Sequence, residues 1–203
     1  MKIAIIVEGK TERVFKEVLV AFFEPRLSGR MPYLDFVPYH HRIPKREKLV
    51  RLVANLLGSG KKPAEAVIAL TDVYTGTNDF KDAADAKNQM AEWVGQEPRF
   101  HPHAAQYDFE AWLLPYWDRI KKLAKHDKKA PAGKPETVNH ENPPSKRISE
   151  IFRIGACKRH YVKPRDAVRI LRGQDLTISA DACPELKSFL NTIVTLCEGS
   201  PLP

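Results

Sequence analysis

Cysteine is scarce in this 203-residue chain: Cys157, Cys183 and Cys197 are widely spaced and form no Cys-x-x-Cys pair. That excludes a disulfide scaffold and a thiolate zinc site, and it fits a reducing cytoplasm with the thiols as small apolar fillers. Long apolar runs are missing too. The longest uncharged aliphatic and aromatic run is Val18 to Phe23, far short of the roughly 20 residues of a membrane span. The apolar stretch Ile3 to Val7 is cut by Glu8, too early for a secretory signal. No internal repeat is present. A glycine-rich phosphate cradle is also absent. Gly9-Lys10-Thr11 resembles the end of a P-loop, but the first glycine of that motif would fall on Ala4, inside the first apolar run, so a P-loop NTPase is rejected.

What the chain does have is apolar material for a core, 43% hydrophobic against 29% charged, which excludes a wholly disordered protein. It also has an uneven charge. The formal net charge is +8. Residues 1–118 hold 16 basic and 16 acidic side chains, residues 119–172 hold 16 and 5, and residues 173–203 hold 1 and 4. The whole excess lies in one block of net +11, which points to a polyanion partner, nucleic acid first. A solvated basic loop beside an amphipathic helix is the simpler alternative.

The first hundred residues alternate as strands and helices. Ile3–Val7, Tyr33–Tyr39, Glu65–Thr71 and Phe100–Gln106 read as strands. Thr11–Glu24, Pro44–Leu57, Asp79–Val94 and Asp108–Ala124 read as helices with apolar residues at helical spacing. This predicts an α/β fold, a Rossmann-like, mostly parallel four-stranded sheet with helices on both faces. Residues 1–125 form that core. Residues 126–144, rich in Lys, Pro, Gly and Asn, form a mobile surface loop. Residues 145–203 form a helical C-terminal extension packed on the core, with Ser145 as a helix N-cap and further helices near Pro164–Arg172 and Pro184–Leu196.

In an open parallel sheet, ligands bind beyond the carboxyl ends of the strands. Those ends deliver Glu8, Lys10 and Glu12 after the first strand, Asp72 and Asp79 after the third, and Asp108 and Glu110 after the fourth. Carboxylates gathered on one edge repel one another unless a cation neutralises them, so Mg²⁺ or Mn²⁺ is the implied cofactor. Several of these acids have a structural alternative: Asp79 and Asp108 as helix N-caps, Glu12 and Glu110 as first-turn acids. His101 and His103 share one face of a strand and read as surface residues. His40 and His41 follow the second strand and point apart.

The chain resembles the Toprim domain, and more closely a bacterial Toprim-like family of unassigned function related to OLD-type nucleases, some of whose relatives are encoded beside ATPases in anti-phage defence loci. The matching pieces are Val7-Glu8-Gly9-Lys10-Thr11-Glu12, Thr71-Asp72-Val73-Tyr74 with Asp79-Phe80, and Phe109-Glu110-Ala111-Trp112-Leu113-Leu114. Pro144-Ser145-Lys146-Arg147, Tyr161, Lys163 and the segment from Cys183-Pro184 to Phe189 complete the match. The resemblance implies that Glu8 is a general acid/base and Asp72 a metal ligand in phosphodiester chemistry. The D-x-D metal motif has Tyr74 at its second position, which leaves Asp79 or Glu110 to supply the missing carboxylate. Tyr107-Asp108 stands where His-Glu is expected.

The leading expectation is a Mg²⁺- or Mn²⁺-dependent nuclease acting on RNA or DNA, with an ATPase encoded nearby as partner and no membrane association. Lys10 would reach the phosphate, and Lys146, Arg147, Lys158, Arg159 and Lys163 would hold the flanking backbone, with Tyr161 among them to stack on a base. This requires the region from Lys146 to Lys163 to face the Glu8–Asp72 edge. A non-catalytic module docking nucleic acid or an ATPase, and a small-nucleotide phosphohydrolase, are the alternatives.

Overall fold

The structure, a computed structural model, describes residues 1–39, 42–58, 62–73, 78–137 and 142–203, with residues 10–14 described for backbone alone. Four strands, β1 (Lys2–Val7), β2 (Tyr33–Pro38), β3 (Ala66–Asp72) and β4 (Phe100–Ala105), pair in parallel in the order β2-β1-β3-β4. β1 and β3 are central, which explains their uninterrupted apolar sequences: both faces of each are covered. Alternate side chains divide between two cores. Ile3, Ile5, Val7, Ile68 and Leu70 enter the larger, and Ala4, Ile6, Val67 and Ala69 the smaller. The larger core is completed by α1 (Lys10–Phe23) and the C-terminal helices, the smaller by α2 (Glu47–Gly58) and α3 (Ala83–Val94).

Chain direction across the sheet matters for function. β1 is followed by β2 on one side, and the chain then crosses back to lay β3 and β4 on the other. The carboxyl ends of β1 and β3 therefore flank the topological switch point, where a crevice opens in folds of this kind. Val7 pairs with Leu70, so Glu8 lies level with Thr71 and one step short of Asp72.

After β4, a 3₁₀ helix (Phe109–Tyr116) runs into α4 (Trp117–Ala124). The single helix expected over 108–124 is thus two segments. Pro115 is the physical reason, since it lacks an N–H and its ring crowds the preceding turn. Trp112 in the 3₁₀ helix is a hub of the larger core, with Phe15, Phe109 and Phe189 rings 5.5–6.1 Å away. Burying such side chains contributes roughly 1.5–3 kcal/mol each.

Four helices follow: α5 (Pro144–Ile154), α6 (Lys163–Leu171), α7 (Leu176–Ala182) and α8 (Pro184–Leu196). Each gives apolar residues to the same core as β1 and β3. One expectation changes here. Ser145 does not cap α5: Pro143 holds the cap position, Pro144 opens the helix, as its fixed φ favours, and Ser145 turns its N–H elsewhere. Ahead of α5, a 3₁₀ turn forms at Pro135–Thr137. There Glu136 accepts from Trp112 Nε1 at 3.0 Å and from the Glu185 N–H at 3.1 Å, while Trp117 Nε1 donates to the Lys128 carbonyl at 2.8 Å. Where α5 ends, Gly155 lets two helix ends meet. A Cβ there would lie 2.0 Å from the Ala124 carbonyl oxygen, which accepts from the Cys157 N–H. Among the described residues no helix is long and apolar enough to cross a membrane.

Candidate carboxylate site

Glu8 leaves the end of β1 with 9% of its surface exposed, and its Oε1 accepts from the Thr71 hydroxyl on β3. Asp72 closes β3. Its Oδ1 accepts from the Phe109 N–H at 2.9 Å, satisfying one of the donors that the first turn of the 3₁₀ helix leaves open. Asp72 thus joins the strand end to the segment that carries the next two acids.

Those acids are the most enclosed in the cluster. Asp108 is 2% exposed and does not cap its own helix. Its Oδ2 accepts from the Ser145 N–H at 3.1 Å, so it caps α5 from outside, and its Oδ1 is buried with no hydrogen-bond partner among the described residues. Burial, and then the charge of Glu110, push its carboxyl up to about 7. Glu110 is wholly buried. Its Oε1 accepts from the Tyr161 hydroxyl at 3.1 Å and its Oε2 from Lys163 Nζ at 3.0 Å. Burial alone would lower the Lys163 ammonium, but Glu110, Asp72 and Asp108 outweigh it and hold the group above its ordinary value.

Ser145, Tyr161 and Lys163 therefore meet the two acids that follow β4, Asp108 and Glu110, while Arg159 does not join them. Arg159 serves the interior. Its Nη1 pairs with Asp166 at 2.7 Å and its guanidinium lies over the Phe152 ring, 4.7 Å from the centroid. Tyr161 is likewise a core residue, tilted against Phe152 at 5.5 Å. Lys146 lines a cavity of about 600 Å³ with Asn142, Arg153, His160 and Tyr161. Arg147 Nε donates to the Asn142 carbonyl at 3.0 Å. Lys158 is exposed, in a left-handed turn with φ +50°. Asp79 is ion-paired with Arg42 and Lys45, each 2.9 Å from its Oδ2. It does not cap α3, since Asp82 does so by accepting from the Asp85 N–H. The side chains of Lys10 and Glu12, and all of His40, His41 and Tyr74, lie outside the described residues.

The reading of the histidines as surface groups is corrected. His103 is 4% exposed, with Nε2 3.0 Å from Thr192 Oγ1 and its ring edge-on to Phe189. Burial, with the charge of Lys87 next, takes its pKa down to about 3, so it is a neutral core residue.

One residue escaped the sequence reading, and Asp108, read as an edge acid or an N-cap, proves to cap a different helix. Asp166 gave a usable signal, an acid sharing the apolar face of its helix with Ala167 and Ile170. It is fully buried and draws Arg159, Arg165, Arg169 and the Val162 N–H to itself. Burial opposes its ionisation, but the hydrogen bonds from Arg165 and Arg159 outweigh burial and hold its carboxyl below the usual range.

Among the described residues no three His, Cys, Asp or Glu side chains are placed together so as to hold a metal ion. The fit of Mg²⁺ or Mn²⁺ therefore rests on two carboxylates, Glu8 and Asp72, on neighbouring strand ends. A pair of this kind suits a hard cation that keeps most of its waters. The two acids proposed to complete the set are ion-paired, Asp79 with Arg42 and Lys45, and Glu110 with Lys163.

A parallel α/β sheet covered on both faces, with acids at its switch point, defines the class of fold. Within that class the chain belongs to the family described as "Domain of unknown function (DUF4276)", whose match spans residues 7–194. Its fold is similar to that of the C-terminal region of the Burkholderia pseudomallei OLD protein, with a TM-score of 0.54 and 14% identity over 96% of this chain and 98% of that one. No curated protein matches it.

Proposed function

We propose that this protein is a Toprim-like, metal-dependent phosphodiesterase acting on RNA or DNA, and an effector of an anti-phage defence system that works with an ATPase. One observation carries the reading: residues inside the basic block are bonded to the acids that follow β4, through Ser145 to Asp108 and through Tyr161 and Lys163 to Glu110, while Asp72 at the end of β3 holds the start of the same 3₁₀ helix through the Phe109 N–H. A phosphodiester brought to Glu8 and Asp72 would meet that block on the way. Glu8 and Asp72 would hold the divalent ion, which when bound supplies charge stabilisation at the phosphate. Glu8, supported by the Thr71 hydroxyl, moves a proton to or from the attacking or leaving oxygen. Lys146, Arg147 and Lys158 hold flanking phosphates without regard to sequence.

The test is cleavage of tRNA, single-stranded RNA and DNA with and without Mg²⁺ or Mn²⁺, for wild type and Glu8→Gln, which keeps an acceptor for Thr71. We expect divalent-dependent cleavage, lowered about 10²–10⁴-fold in the variant. No cleavage of any substrate, or cleavage unchanged by Glu8→Gln, overturns the reading.

The neutralised states of Glu110 and Asp79 favour a second reading, a module that binds nucleic acid or an ATPase without cutting. Polynucleotide binding with no calorimetric heat from Mg²⁺ or Mn²⁺ selects it.

A further inference from the structure

We propose that Lys163 is a resident counter-cation that keeps Glu110 out of any divalent-ion site, so that the carboxylate edge takes one divalent ion at most. The inference rests on the Glu8–Asp72 reading for the single ion, but not for the exclusion at Glu110.

A carboxylate with no exposed surface must be neutralised or fully hydrogen-bonded. In a two-metal site a second divalent ion does this; here the chain does it itself. Both oxygens of Glu110 are taken from one short segment, Tyr161 on Oε1 and Lys163 on Oε2. The two donors are two residues apart at the start of α6, so a single backbone placement positions both. The lysine comes from outside: 47% of its side chain is exposed while its ammonium touches a fully buried acid. Its partly exposed side chain thus brings a charge to an acid that water does not reach.

The neighbouring acid carries the mark of a cation position. Asp108 is 2% exposed, has an oxygen with no partner among the described residues, and lies close enough to feel the charges of both Glu110 and Lys163. Removing the ammonium while keeping the side chain's volume leaves Glu110 and Asp108 as two buried carboxylates with one cation missing. Such a pair takes up a hard divalent ion or binds protons. The reverse change is milder, because a lysine deprived of Glu110 can swing its tip into water. The pair is asymmetric, with the acid depending on the lysine.

The experiment counts Mn²⁺ ions by calorimetry and by electron paramagnetic resonance on the full chain, for wild type, Lys163→Met, Lys163→Arg and the double variant E110Q/K163M. We expect one ion at most in wild type and one more in Lys163→Met. That additional ion should bind about tenfold or more tightly than any further ion on wild type, because the substitution removes a competing positive charge from beside the carboxylates. Lys163→Arg should bind as wild type does, and E110Q/K163M should lose the gained ion. Two ions on wild type, or no gain in Lys163→Met, overturns the proposal. If Lys163→Met is unfolded without metal, recovery of its melting transition by Mn²⁺ but not by matched NaCl supports the proposal, and failure to recover overturns it. A wild type that binds no ion beside a Lys163→Met that gains one keeps this inference and sinks the Glu8–Asp72 reading. One wild-type ion lost in Glu8→Gln, with no gain in Lys163→Met, does the opposite.

Discussion

Asp108 holds a single-residue conflict. Its Oδ2 caps α5 through Ser145, a role that favours the charged form, while burial and Glu110 favour the neutral one and prevail, taking the carboxyl up to about 7. The folded state therefore binds a proton that the unfolded state has already released between about pH 4 and pH 7. Stability from this residue is fully present below the unfolded value and is lost as pH rises through that window. Asp108→Asn keeps an acceptor for the Ser145 N–H and cannot ionise. We expect it to be more stable than wild type at pH 8, by on the order of 1–3 kcal/mol. The difference should shrink toward pH 4, as thermal melting of both proteins across that range will report. A gap independent of pH would mean that Asp108 is ionised throughout.

Helices and strands differ in how plainly the sequence displays them. Ile3–Val7 and Ala66–Leu70 are legible because a central parallel strand needs apolar residues on both faces, and few other elements produce so short a continuous run. α8 is legible to the residue, opened by Pro184 and periodic through Leu196. α7 is not, since its seven residues bury only Leu176, Ser179 and Ala180 and show little period. The break at Pro115 is visible in the sequence, but the apolar pattern runs straight across it. A junction between elements is the least legible feature, because its constraint is a distance and leaves no residue pattern. Gly155 is such a case. Gly155→Ala has no left-handed strain to overcome, only a carbonyl 2.0 Å from the new methyl. We expect a loss of about 1–3 kcal/mol in denaturant unfolding, with the α4–α5 junction displaced. An unchanged midpoint would show that the two helix ends part freely.

Over the whole molecule, the net +8 is a neutral α/β portion followed by a +11 block and a −3 tail, and the structure divides that block again. Arg159, Arg165 and Arg169 converge on Asp166, and Lys163 on Glu110. The sequence locates the charge but does not separate cations facing inward from those facing solvent, because one buried aspartate reorganises three arginines that look alike in the chain. The same limit applies to the acids: Glu8 and Asp72 were found from their position after strands, whereas the bonding of Asp108 and Glu110 to residues 145–163 needed the fold. Polyanion binding should reflect the division. On a salt titration with single-stranded RNA or DNA, Lys146→Ala with Arg147→Ala should flatten the slope of log K against log salt by about 1–2 without lowering the melting temperature. Arg159→Ala should do the reverse. An equal effect of both on the slope would return Arg159 to the binding surface.

The bond between Lys163 and Glu110 closes a gap of 53 residues, and that gap is also an interval in time. A ribosome releases the four strands and the 3₁₀ helix, with all of their acids, before the lysine that neutralises Glu110 exists. At about 5–20 residues per second, the interval is roughly 3–10 s. The 3₁₀ helix can dock at once, on Phe15 and Asp72; Asp108 waits 37 residues for the Ser145 N–H, and Glu110 gains Tyr161 only two residues before Lys163. The last third of the chain thus supplies, seconds later, the partners of two acids that the earlier part has already buried.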